Sequence, residues 1–432
     1  MAPVALYGDQ REPIVTRNGR YISRDQFWSD VYAFRKLLPD SVYIINDCKD
    51  RYAFLVTLVA GLVNKKISLF PSSRTQRVFD QLFGDYHDVV CVTDQSDVVF
   101  GYQSMRIDIN HFERTPDCSP LAIPGDQLAL IAFTSGSTGS PKPHAKTWSA
   151  FLFEAKVAGI SLGLDSSPVS RCIATMPAQH MYGFIASIMV PLYYGIAIEA
   201  TCPFFPRDIS VALSATKTSA MLITTPIQLR NCVLGTIALS NLSFILSSAA
   251  TLDPEIAKQA EVLFNVPIYE FYGSTETGAI AFRETNRTDH WVTFQGISVR
   301  EADKMLLVSS PHITDQVIQD YVRVISSTTF LLNGRASDII KVSGKRTSLV
   351  ELNRVLLSIA GVCDGVFYQP DPELEGRLTL IAVVSGLDKK ALLSALRPNI
   401  DEVFLPRKII FMDKLPRSES GKLPLQNIAS LV

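Results

Sequence analysis

From Ser41 onward, short β-branched or apolar runs alternate with longer amphipathic ones. Short apolar runs bounded by turn residues read as strands, and apolar residues at helical spacing read as helices. Regular alternation of the two is the pattern of parallel strands joined by crossover helices, because a parallel pair needs a long connection that packs back on the sheet. Strands are expected at Val42 to Ile45, Ile67 to Phe70, Val89 to Val92, Ala129 to Thr134, Cys172 to Met176, Ala220 to Thr224, Phe244 to Ser247 and Ile268 to Tyr272. Helices are expected at Trp148 to Ala158, Pro206 to Ala215 and Pro254 to Leu263, the last with Asp253 as cap and Pro254 in the first turn. This predicts a doubly wound α/β fold, whose ligands lie beyond the carboxyl ends of the strands.

After Tyr272 the pieces shorten (Trp291 to Phe294, Met305 to Val308, Thr328 to Leu332), as in a small β-subdomain, and Asn333-Gly334-Arg335 reads as a turn. Beyond it lies an α+β segment with helices near Leu349 to Ala360 and Lys389 to Leu396. The expected organisation is α/β: a large N-terminal region of doubly wound layers plus a small β-subdomain, residues 1–335, then a small mobile α+β C-terminal domain, residues 336–432.

Composition narrows the function classes. The chain has 432 residues, 47% hydrophobic and 19% charged, with a net charge of 41 − 42 = −1. Such a chain has ample core, and no basic platform for nucleic acid or an anionic bilayer. Cys172 to Ile198 contains no charged residue, but Pro177, Gln179, His180, Gly183, Pro191 and Gly195 interrupt it. A spanning helix needs roughly 20 mostly apolar residues, so this stretch reads as buried strand, turn, helix and strand. Tyr52 to Val63 is apolar but too short to span, and no basic-then-apolar leader opens the chain, so no membrane insertion and a cytoplasmic location are expected. The seven cysteines show no C-x-x-C spacing and the histidines are dispersed, so no zinc or iron–sulfur site is legible.

The most informative run is Ile131-Ala-Phe-Thr134-Ser135-Gly136-Ser137-Thr138-Gly139-Ser140-Pro141-Lys142, expected between a buried strand and a helix. Glycines let backbone N–H groups approach phosphate oxygens, and the hydroxyls and Lys142 add donors and charge. Gly-Lys-Ser/Thr is absent, so this is not a Walker loop.

The run resembles the phosphate loop of the adenylate-forming superfamily of acyl- and aryl-CoA ligases, peptide-synthetase adenylation domains and luciferases. Four further segments match in the family's order. Glu270-Phe271-Tyr272-Gly273-Ser274-Thr275-Glu276 is similar to its aromatic-Tyr-Gly-x-Thr-Glu motif, and Gly334 to Arg346 is similar to its hinge motif. Pro416-Arg-Ser-Glu-Ser-Gly421-Lys422 resembles the catalytic-lysine motif, and Pro177-Ala-Gln-His180-Met-Tyr-Gly183 the Pro-x-x-His-x-x-Gly element of acyl and aryl ligases.

The resemblance implies roles for these residues. Thr134, Ser135, Gly136, Ser137, Thr138, Gly139 and Lys142 would hold the β and γ phosphates of ATP, with Thr275 against phosphate and Glu276 on Mg²⁺. Tyr272, with Gly273, would pack on the adenine; Asp320 and Arg335 would serve the ribose, and Arg346 falls with the nucleotide-binding residues. Lys422 would bridge the acid's carboxylate and the α-phosphate, and Ser337 would be the hinge. His180 would gate or line the acid site, with Met181, Tyr182, Phe184, Ser247, Ser248 and Ala249 shaping its pocket. Amino-acid-activating relatives usually place an Asp in the His180 element to pair with the α-ammonium, and this one has no acid there. An ammonium buried without a counter-ion costs several kcal/mol, so an acid lacking an α-amino group is expected, aryl or short to medium in chain.

Departures from the family pattern are Pro143 after the loop lysine, Ser337 at the hinge, Leu425 three residues after Lys422, and Ser247-Ser248-Ala249-Ala250 in place of Gly-Gly-Ala-Pro. The expected activity is adenylation of a carboxylic acid with ATP and Mg²⁺, then transfer of the acyl group to CoA or to a separate holo carrier protein. The alternatives are a stand-alone amino-acid adenylation enzyme and a nucleotide-binding relative without turnover; retention of Glu276 and Lys422 speaks against the latter. The oligomeric state is not legible.

Overall fold

A computed structural model describes residues 4–95, 101–102, 104–113, 118–134, 142–335, 339–342, 345–369, 378–417, 423, 428–429 and 431. The chain forms two compact units, residues 1–297 with 309–316, and residues 298–308 with 317–432.

The first unit carries two largely parallel sheets. In one, the order is Ser104–Arg106, Val89–Thr93, Tyr43–Asn46, Ile67–Phe70, Leu128–Thr134 and Lys142–Thr147, with only the last strand antiparallel. In the other, the strands of this unit run Trp291–Thr293, Gly278–Glu284, Ile268–Ser274, Leu242–Ser247, Ala220–Thr224, Arg171–Ala174, Ala197–Glu199, Pro13–Arg17 and Arg20–Ser23. The parallel strands from Ile268–Ser274 to Pro13–Arg17 lie inside antiparallel partners at both ends. Helices Arg51–Val63 and Trp148–Ser161 each touch strands of both sheets. A helix enclosed in this way must be apolar nearly all round, which explains the charge-free run that begins at Tyr52.

Most expected strands and helices form within a residue or two of their expected bounds. Asp253 does cap its helix, accepting from the N–H groups of Glu255 and Ile256 at 2.8 and 3.4 Å. The uncharged stretch folds as strand Arg171–Ala174, helical segments from Met181 to Tyr194 with a buried π-helical turn at Ile185–Met189, and strand Ala197–Glu199. Among the described residues no helix is long and apolar enough to cross a membrane. The seven cysteines, all among the described residues, form no disulfide.

Two expectations change. Lys142–Thr147 is a strand, so the Ser/Gly-rich segment joins two antiparallel strands, and the helix starts only at Trp148. The strand was hidden by its polarity and by Pro143, which is tolerated because this is the edge of the sheet. Asn333-Gly334-Arg335 is not a turn but the end of strand Thr329–Arg335. Tyr321 pairs with Gly334 and Val322 with Leu332, so Asn333 is an extra residue in a bulge, and Gly334 supplies a φ of +104°.

The second unit contains strands Ser298–Ala302 and Thr329–Arg335, a hairpin of Ile339–Val342 and Lys345–Ser348, helices Leu349–Ser358 and Lys389–Leu396, and a sheet ordered Val362–Tyr368, Thr379–Val384, Lys408–Phe411. Its core gathers Leu352, Leu356, Phe367, Leu380, Leu392 and Phe404.

Candidate active site

Two hairpins of the first unit converge on one carboxylate. The first is Leu128–Thr134 with Lys142–Thr147, whose last pair is Thr134 with Lys142, so both ends of the Ser/Gly loop are held side by side. Side chains alternate along a strand, so Lys142, His144 and Lys146 share a face, from exposed to buried. The second hairpin is Ile268–Ser274 with Gly278–Glu284. Its tip carries Thr275 and Glu276, and it is tied by Ser274 and Thr277, each backbone N–H bonding the other's hydroxyl at 3.2 Å. Gly273 is required there, since a Cβ would stand 2.0 Å from the Gly278 carbonyl oxygen.

His144 joins the two. Its Nε2 lies 3.2 Å from the Thr134 hydroxyl and 3.8 Å from Glu276 Oε1. Burial alone would raise the Glu276 carboxyl, but its own backbone N–H, the Ser274 hydroxyl and the nearby His144 and Lys142 outweigh that and set it below the usual value. Burial, against the pull of Glu276 and with the push of two lysines, lowers the His144 imidazole. The result is an ionised carboxylate beside the ends of a hydroxyl-rich loop. Among the described residues no group of three His, Cys, Asp or Glu could hold a metal ion. A single carboxylate still suits Mg²⁺, which takes one or two protein carboxylates and completes its shell with water and substrate phosphates.

Tyr272, on the strand leading to this tip, is half-buried with its ring 5.4 Å from that of Trp291, which in turn lies under the Arg283 guanidinium at 4.6 Å. Glu270 is buried, and Arg283 Nε at 2.7 Å and the Thr285 hydroxyl at 3.0 Å donate to it. It is therefore part of the strand's support rather than a free acid.

The Pro177–Gly183 turn is built differently. A Cβ at Gly183 would fall 2.2 Å from the Pro177 carbonyl oxygen, which accounts for the glycine at this spacing. His180 caps the following helix, its carbonyl accepting from Phe184 N at 2.7 Å. Gln179 donates to the carbonyls of Asn46 and Cys48 at 3.1 and 2.7 Å. Arg51, 1% exposed, donates to the carbonyls of Met176 and Thr201 and reaches the Ser187 hydroxyl at 3.4 Å. The Tyr182 hydroxyl donates to Leu246 O at 2.8 Å and Thr224 O at 3.2 Å, and burial pushes it well up. Phe184 is committed to a core cluster with Phe54, Phe70 and Phe151. Met181 is half-buried. Ser248 donates to Phe271 O at 2.7 Å, while the Ser247 hydroxyl is buried with no hydrogen-bond partner among the described residues. Ala249 adopts a φ of +76°.

In the second unit Asp320 pairs directly with Arg335 across neighbouring strands, the former 6% exposed. For Arg335 and Arg346 only the backbone is described. Ser135, Gly136, Ser137, Thr138, Gly139, Ser337 and Lys422 lie outside the described residues. The sequence reading missed His144, Lys146 and Arg51. The signal for the first two was the alternation Lys-x-His-x-Lys after the loop; for Arg51 there was none, because burial of a lone Arg at a helix start is a tertiary outcome.

A family model for AMP-binding enzymes matches residues 39–310. The 4-coumarate–CoA ligase of Cereibacter sphaeroides is 26% identical over 305 residues, covering 69% of this chain and 71% of that protein. The 3,4-dihydroxybenzoate–[aryl-carrier protein] ligase of Bacillus anthracis is 22% identical over 311 residues, covering 69% and 73%. The o-succinylbenzoate CoA synthetase of Bacillus subtilis, solved with its acyl-adenylate intermediate, superposes with a TM-score of 0.78 at 15% identity over 96% of this chain and 95% of that one. With the match covering well over half of its length, the chain belongs to the AMP-binding enzyme family.

Proposed function

We propose that the protein is an AMP-forming acid–thiol ligase. It adenylates a carboxylic acid without an α-amino group, aryl or of short to medium chain, and then transfers the acyl group to CoA or to the phosphopantetheine thiol of a separate carrier protein. The observation that carries this reading is the convergence of Thr134, His144 and Glu276, at 3.2 and 3.8 Å, where the two ends of the Ser/Gly loop meet.

In the first half-reaction a carboxylate oxygen attacks the α-phosphorus and the bond to pyrophosphate breaks. Two anions must meet, so the chain's task is to hold them and spread the developing charge. The loop from Thr134 to Lys142 supplies donors for the β and γ phosphates, and Tyr272 a face for adenine. Thr275 takes a phosphate oxygen, Asp320 and Arg335 serve the ribose, and Arg346 assists the nucleotide. Glu276 would hold Mg²⁺, which when bound neutralises phosphate charge. Lys422 would bridge the acid's carboxylate and the α-phosphate. In the second half-reaction the thiol sulfur attacks the acyl carbonyl, AMP leaves, and the thiol proton passes to solvent. Rotation of residues 336–432 about Ser337 lets one site serve both steps. The uncharged turn at His180, with Met181, Tyr182, Ser247, Ser248 and Ala249, borders the acid; Phe184 backs it from the core.

Acid-dependent pyrophosphate exchange over aryl, short-chain, medium-chain and amino acids, repeated as product formation with CoA and with a holo carrier protein, tests this reading. Lys422→Ala should lower exchange at least about 100-fold; near-normal exchange would remove Lys422 from the mechanism. Silence across the whole panel with ATP binding intact would mark a binding protein instead.

A further inference from the structure

Behind the Glu276 hairpin lies a charged pair that the reaction scheme does not use. Lys146 and Glu154 are 7% and 5% exposed, with Nζ 3.4 Å from Oε1. Lys146 stands two residues beyond His144 on the strand that leaves the Ser/Gly loop, and Glu154 on the helix Trp148–Ser161 that follows. The carboxylate presses on the strand that follows Glu276: a Cβ at Gly278 would lie 2.2 Å from Oε1 and 2.4 Å from Oε2. Gly278 has a φ of +75°, so both its conformation and its contact demand glycine. Three elements thus meet at one buried carboxylate: the strand after the phosphate loop, the helix after that strand, and the hairpin that presents Glu276.

Such a pair is a poor way to gain stability, because desolvating two charges offsets their attraction, and an apolar pair of similar volume often holds the fold as well. An apolar pair lacks direction, however. A carboxylate tied to an ammonium on one side and packed against the Gly278 backbone on the other fixes where that backbone sits. We infer that Glu154, held by Lys146, is a positioning residue for Glu276: it fixes the backbone two residues beyond Glu276, so that the Glu276 carboxylate faces His144 and the mouth of the phosphate loop. The inference rests on the reading of Glu276 as the carboxylate that takes Mg²⁺ with the nucleotide. Neither Lys146 nor Glu154 touches substrate in this account, and their effect passes through the hairpin.

The test is calorimetric titration of the full chain with ATP, in Mg²⁺ and in EDTA. The wild-type chain should bind ATP more tightly with Mg²⁺. The double substitution Lys146→Met with Glu154→Gln removes both charges at similar volume. It should unfold at roughly the wild-type midpoint yet lose about tenfold of the Mg²⁺-dependent gain, with affinity in EDTA unchanged. A folded double variant that keeps the whole gain overturns the inference. Should the double variant not fold, Glu154→Asp decides, since it keeps both charges and withdraws the carboxylate by one methylene; a smaller loss in the same direction supports the inference and no loss overturns it. A wild-type chain with no Mg²⁺-dependent gain overturns the reading of Glu276 and this inference with it. A wild-type gain that persists in the variants overturns this inference alone.

Discussion

The Glu276 hairpin and the Pro177–Gly183 turn are both steadied by a buried cation, but the cations are satisfied in opposite ways. Under the hairpin Lys146 faces a carboxylate, Glu154. Beside the turn Arg51 donates to two carbonyl oxygens and reaches a hydroxyl, and none of these is an acid. The hairpin side is rich in titrating groups, with His144, Glu276, Lys146 and Glu154 close together. The turn itself contains none besides His180 and the tyrosine whose hydroxyl is bonded to strand carbonyls. The contrast separates a region suited to phosphate and cation charge from one suited to an uncharged group. It also separates two kinds of dependence: an ion pair can be replaced as a pair, whereas carbonyls that lose a guanidinium are left as orphaned acceptors.

Arg51→Met should have the largest effect. It removes the donors to Met176 and Thr201 and should lower stability by about 3 kcal/mol or more, read as a lower midpoint in urea or thermal unfolding. If the variant is as stable as the wild type, the two anchors are equivalent and the contrast fails. Gly183→Ala comes next: the added methyl must displace the Pro177 carbonyl or the helix behind it, at about 1–3 kcal/mol. Together with that loss, a shift in acid preference at unchanged ATP affinity would tie the turn to the acid. A change confined to ATP affinity would instead place the turn at the nucleotide.

The smallest effect concerns pH and belongs to the hairpin side. Burial holds the folded-state pKa of His144 below its ordinary value, so on acidification the unfolded chain takes the proton first. The stability associated with neutral His144 is therefore full above the unfolded value of about 6.5 and is lost as pH falls through the lowered folded value. Glu276, also lowered, acts with the same sign in a more acidic window, below its ordinary carboxylate range. His144→Gln should flatten the stability–pH curve below about pH 6.5. Curves that stay parallel from pH 7 to pH 5 would show that His144 does not titrate as its burial requires.

Much of the scaffold was legible because parallel strands buried on both faces leave continuous apolar runs, and the caps and prolines around them are local signals. The strands Ile67–Phe70 and Ala220–Thr224 and the helix Lys389–Leu396 form at the expected residues. The Pro13–Arg17/Arg20–Ser23 hairpin also has a local signal, since Asn18-Gly19, with φ of 51° and 73°, is the usual dipeptide for such a turn. At Gly334 the same dipeptide misleads, since a glycine inside a strand and one in a turn look alike in sequence, and only the partner strand distinguishes a bulge.

For the site, the sequence by itself determined the chemical inventory: the hydroxyl-rich loop, the Thr275-Glu276 tip and the acid-free turn at His180. These are strings whose residue types constrain chemistry wherever they sit. Only the tertiary structure decided that His144 bridges Thr134 and Glu276, that Lys146 and Glu154 lie buried beneath the second hairpin, and that Arg51 secures the turn. The partners in these contacts are between 8 and about 150 residues apart in the chain. No local propensity encodes such a meeting; it arises where strands and helices already specified are packed together, and charge that would be solvated in isolation is left to find its partner inside.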